Sequence, residues 1–178
     1  MTQINKLGSP APAGKQLAAG ASKAQVVADL QAAYGPPSQA GFGSAVFSEP
    51  LDAGDSLEQA SLEKYKVFVG ELWGRYGQDA WMGPWKEVYA RPAGAKPDIG
   101  AELRGIADPA AQNSVPMILE NIDGADKARA ALAAAYDAPA VTELRVFNLG
   151  DSGAMSGLLV AGRRGDSGAA TFLVFLLD

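Results

Sequence analysis

Residues 141–177 read VTELRVFNLGDSGAMSGLLVAGRRGDSGAATFLVFLL, and this stretch decides the fold class. It holds three apolar, β-favouring runs, at 141–149, 155–164 and 169–177. Between them stand Gly150-Asp151-Ser152-Gly153 and Gly165-Asp166-Ser167-Gly168, and Gly, Asp and Ser are the residues that tight turns require. The pattern predicts a three-stranded antiparallel meander. In the last run Phe172, Val174 and Leu176 alternate with Leu173, Phe175 and Leu177. Both faces of that strand are therefore apolar and both must be covered.

Upstream, the pattern changes from period two to helical spacing. Ser22 with Gln25 spells a capping box, and Val26, Val27, Leu30 and Tyr34 follow on one face before Gly35-Pro36-Pro37 stops the helix. A second, longer helix is expected from Asp55 or Ser56 to Gly77. Its stripe is Leu62, Tyr65, Phe68, Val69, Leu72, Trp73 and Tyr76, with Gly70 and Gly74 inside it. Asp98 caps a short helix through Ile99, Leu103 and Ile106 that stops before Pro109. Asn113 or Ser114 opens a segment through Met117 and Leu119 that reads as either helix or strand. Asp123 and Asp126 begin an alanine-rich helix ending at Tyr136, where carboxylates suit the positive end of the helix dipole. Short strands near Val46 and Val88 could extend the sheet. Residues 1–21, rich in Gly and Pro and without an apolar period, are expected to form a flexible arm.

The expected class is thus α+β, with N-terminal helices packed on one face of a C-terminal antiparallel sheet, in a single domain spanning 22–178. This order is similar to the helix-on-curved-sheet architecture of cystatin-like and nuclear-transport-factor-like proteins, a likeness of fold alone. The size agrees: 178 residues, of which 48% are hydrophobic but 34 are alanine, supply enough larger apolar side chains for one core and not for two independent ones.

Composition narrows the chemistry. The chain has no Cys and no His, so disulfides, thiol catalysis, Cys/His zinc sites and Ser-His-Asp machinery are excluded. A net charge of −5 argues against neutralising nucleic-acid phosphates. The most apolar run, 169–177, is far below the roughly 20 residues of a membrane helix. The first 20 residues lack the basic start and apolar stretch of an export signal, so a cytoplasmic location is the expectation. No cofactor is indicated.

Several short motifs imitate catalytic ones. The two Gly-Asp-Ser-Gly tetrapeptides echo the serine loop of trypsin-like proteases. Without a histidine there is no base, and in a meander the two turns lie about 30 Å apart at opposite ends of strands rising ~3.3 Å per residue. Arg164-Gly165-Asp166-Ser167 spells an integrin-recognition tripeptide on a hairpin tip, where strand-end Arg and turn Gly-Asp coincide readily. Ser61-Leu62-Glu63-Lys64 fits S-x-x-K but lacks the companion elements of penicillin-recognising enzymes. Gly8 to Lys15 has the wrong spacing for a phosphate loop. The carboxylate pairs Asp98 with Glu102 and Asp123 with Asp126 could hold a hard cation. Both stand at helix starts, where acids serve the dipole, and no metal site is assigned.

The most informative cluster is aromatic. Seven of the 14 aromatic residues fall in 65–89. Trp81-Met82-Gly83-Pro84-Trp85 contains a Gly-Pro bend of the kind that lies at surfaces. A platform of Trp81, Trp85 and Tyr89 flanked by Arg75 and Arg91 would bind a protein partner or a small ligand, and a second copy of the chain is among the partners the composition permits. The competing reading folds the same loop down as a lid on the core. Two functions follow: a non-catalytic binding or protein-interaction domain, favoured by the missing His and Cys, or a small pocket enzyme using Asp, Glu or Tyr for acid–base work.

Overall fold

A computed structural model describes residues 22–178, and the arm expected over 1–21 lies outside them. The chain runs α1 (Lys23–Tyr34), β1 (Gly43–Pro50), α2 (Leu57–Val69), α3 (Glu71–Tyr76), α4 (Gln78–Met82) and β2 (Lys86–Ala90). There follow α5 (Ile99–Arg104), α6 (Pro109–Leu119), α7 (Ala125–Tyr136), β3 (Val141–Gly150), β4 (Ser156–Arg164) and β5 (Ala169–Leu177). The expected class is what the structure shows: helices with a five-stranded antiparallel sheet. The meander supplies its middle, and the order is β1-β5-β4-β3-β2. The two short strands read near Val46 and Val88 close its edges.

Helices cover both faces of this sheet rather than one. Leu144, Val146, Leu158, Val160, Leu173 and Phe175 point into a core with α1, α5, α6 and α7. Their neighbours Phe147, Leu149, Leu159, Phe172, Val174 and Leu176 point the other way, into a second core closed by α2, Leu72, Trp73 and Trp81. Strict alternation along β3 to β5 is what a side-chain period of two produces when both faces are dry. The continuous apolar runs already required cover on both sides, and a one-sided arrangement would have left one set exposed.

Local signals explain most boundaries. The Ser22 hydroxyl accepts from the Gln25 backbone N–H as expected, although the Gln25 amide donates to Asp29 instead of returning to the cap. Ser56 and Asp98 cap α2 and α5. One expectation fails. The long second helix breaks at Gly70, whose backbone (φ 64°, ψ −132°) only glycine adopts readily, so α3 is a separate helix. The short helix capped by Asp98 stops before Pro109 as expected, at Gly105, and Pro109 itself opens the next helix, because Asp108 caps the Ala110 and Ala111 amides and a first-turn proline has no N–H to lose. The segment left between helix and strand is therefore the body of α6.

Both sheet edges are blunted. On β1 the Val46 N–H donates to the Gly35 carbonyl and the Gln31 side chain donates to the Val46 carbonyl. Edge strand β2 has five residues, carries Lys86 and Glu87, and is bulged between Glu87 and Tyr89. Among the described residues no helix is long and apolar enough to cross a membrane.

Candidate functional site

The five residues expected to share a platform lie in three places. Trp81 is 2% exposed and belongs to the second core, where its indole N–H donates to the Leu72 carbonyl. Trp85 is half-buried against the same core, stacking on Tyr65 at 5.8 Å and on Phe147 at 4.8 Å. Its indole N–H donates to Glu58. Tyr65 also takes Trp73 and Trp81 edge-on, and its hydroxyl both accepts from the Gly150 N–H and donates to the Gly150 carbonyl. All three tryptophans therefore meet one buried tyrosine, whose hydroxyl burial pushes well above its usual pKa. The Gly-Pro bend folds over a core, and the exposed-platform reading gives way to the lid reading at this turn.

Tyr89 and Arg91 lie across the sheet from Trp85. Residues 85, 87 and 89 of a regular strand would share one face, but Glu87 opposes Phe147 while Tyr89 opposes Val146, its neighbour. The bulge inserts one residue and turns Tyr89 to the opposite side. There Tyr89 donates to Glu102, and Arg91 forms a two-bonded pair with Glu102 (2.7 and 2.6 Å) and a further contact to Asp137 at 3.2 Å. The Arg91 and Glu102 side chains are 8% and 10% exposed. Burial alone would raise the Glu102 carboxyl, but the bonds from Arg91 and Tyr89 outweigh it and hold it below the usual range. Burial raises Asp137 despite the Ile99 amide and Arg91 beside it. This cluster ties β2 to α5 and to the end of α7. Arg75 is exposed on α3, apart from both groups.

The other sequence candidates are occupied by structural tasks. The two Gly-Asp-Ser-Gly stretches are hairpin turns at opposite ends of β4. In the adhesion-like tripeptide Arg164 contacts Asp166 of the same turn at 3.4 Å, so its two charges face each other. Ser61 is buried and donates to the Leu57 carbonyl, while Lys64 pairs with Glu49. Among the described residues no group of three or more carboxylates gathers to hold a metal ion.

An open cleft of about 480 Å³ lies beside the β3–β4 turn. Phe42 and Tyr76 line it, 65% and 63% exposed, and Trp81 reaches it with the little surface it leaves uncovered. Leu72 and Met155 add aliphatic wall, and Asp151 and Asp178 bring carboxylates. Phe42 stands between Gly41 (φ 73°) and Gly43 (φ 90°). A Cβ on Gly41 would come within 2.9 Å of Leu72, so the pair of glycines both turns the loop and lets it approach α3. Asp151 is held by the turn it shapes, one oxygen accepting from the Gly153 and Met155 amides. Sequence reasoning placed the surface aromatics at the wrong bend. A Phe between two glycines, and a Tyr just before a helix-ending glycine, were the available signals.

Compared with family models, with curated proteins and with solved structures, the chain matches none.

Proposed function

We propose that the protein is a non-catalytic binding domain and that the cleft between Phe42 and Tyr76 is where it binds. The observation carrying this reading is that two large aromatic side chains, each about two-thirds exposed, face one cavity. Exposed apolar surface gathered at a concavity is costly unless something covers it. The acid–base alternative would draw on Glu102 and Asp137, whose titration is displaced, yet Glu102 is committed to Arg91 and the Tyr89 hydroxyl, and Asp137 to Arg91 and the Ile99 amide. An uncharged fluorescent probe, N-phenyl-1-naphthylamine, should brighten on adding the protein. The exposed double variant Phe42→Ser/Tyr76→Ser should keep its circular dichroism and bind the probe about tenfold or more weakly, as loss of aromatic anchors does. No brightening, or equal brightening with the double variant, overturns the assignment.

A further inference from the structure

We propose that the ligand of this cleft is a small organic cation, an ammonium whose charge is wrapped in alkyl groups. This rests on the cleft being the binding site, and it follows from the pairing of ring faces with carboxylates. Aromatic faces carry the negative part of a quadrupole and attract a cation set over them. Phe42 and Tyr76 line the cavity with largely exposed rings, and Met155 adds a polarisable thioether. Asp151 and Asp178 bring negative charge to the same space, and no Lys or Arg lines it among the described residues. Carboxylates beside a purely apolar ligand would lose hydration without compensation, and an anion would be repelled. A bare metal ion needs six or more oxygen ligands, which two carboxylates among rings do not provide. A primary ammonium brings three N–H donors that rings satisfy poorly. An alkylated ammonium has no such demand: its methyl groups pack on Phe42, Tyr76 and Met155 while its charge faces Asp151. The cavity volume lies in the range of small-molecule sites.

Choline and its uncharged carbon isostere, 3,3-dimethylbutan-1-ol, differ in charge at nearly constant shape, and titrating each while following protein amide and indole NMR signals separates the two contributions. Choline should bind roughly tenfold tighter than the alcohol or better, with shifts centred on Phe42, Tyr76 and the 151–155 turn. Tyr76→Ala and Asp151→Asn should each weaken choline several-fold, the second with little effect on the alcohol. Equal affinity for the two compounds, or choline binding indifferent to Tyr76→Ala, overturns the proposal. If choline fails while the naphthylamine still binds at Phe42 and Tyr76, the cation assignment falls and the cleft stands. If the naphthylamine does not bind at Phe42 and Tyr76, the binding site itself falls and the cation assignment with it.

Discussion

Arg91 shows how one side chain holds three elements. Its guanidinium bonds Glu102 of α5, the Tyr136 carbonyl at the end of α7, and Asp137, while its own backbone N–H donates to the Leu144 carbonyl of β3. A planar fork that meets a carboxylate through two bonds is geometrically selective in a way a lysine is not. Because the Glu102 carboxyl titrates below its ordinary value of 4.5 in the folded protein, folding and its ionisation support each other. The sign follows: this contribution is complete above the ordinary glutamate range and is lost as pH falls through the lowered pKa. Asp137, raised by burial, works in the opposite sense, its ionisation weakening the fold as pH rises. Glu102→Gln leaves Arg91 buried without its main partner, so at pH 7 it should cost about 3 to 5 kcal/mol. Denaturant melts from pH 7 down to pH 3 should show the variant converging on the parent as the parent's carboxyl protonates. A parallel pair of curves would mean that the ion pair does not form in solution.

At the scale of elements, Gly70 and Gly74 look alike in the sequence and have opposite roles. Gly70 takes a positive φ with extended ψ at the joint between α2 and α3, and a Cβ there would touch Gln39 at 3.4 Å. Gly74 is helical and exposed, with open space where a Cβ would go. Gly70→Ala should therefore destabilise by about 1 to 3 kcal/mol, and Gly74→Ala should stabilise by up to about 1 kcal/mol, both read from denaturant midpoints at constant slope. Equal effects at the two sites would mean one continuous helix. The apolar stripe from Leu62 to Tyr76 was legible because helical periodicity continues almost unbroken across the joint; the break was not, since nothing in spacing separates a glycine that bends a helix from one that merely sits in it. The bulge in β2 was hidden for a related reason. Trp85 and Tyr89 are four apart, which places them on one face of any regular strand, and only the pairing with β3 reveals the inserted residue. The meander was readable because turn chemistry and apolar runs agree over its whole length. The cleft was not, because Phe42, Tyr76 and Asp151 come from three distant segments whose meeting depends on tertiary packing.

For the molecule as a whole, one sheet serves as the partition between two cores and also as their mechanical link. Along β4, Leu158 and Val160 belong to the core under α1, α5, α6 and α7, while Leu159 and Ala161 belong to the core under α2. Neither layer can lose its packing without baring one face of strands the other layer needs. Trp73, Trp81 and Trp85, the only tryptophans in the chain, all lie on the α2 side. Tryptophan fluorescence thus reports one layer, whereas far-ultraviolet circular dichroism reports helices of both. In the wild type the two signals should give coincident transitions, as a single cooperative unit requires. Leu132 is fully buried in α7 on the side without tryptophan, and Leu132→Ala should cost about 2 to 5 kcal/mol. If the sheet couples the layers, the fluorescence midpoint must fall by the same amount as the dichroism midpoint, although no tryptophan touches the altered side. A fluorescence transition that stays in place while dichroism loses amplitude early would show the layers melting separately, and the shared strands would then be a boundary only.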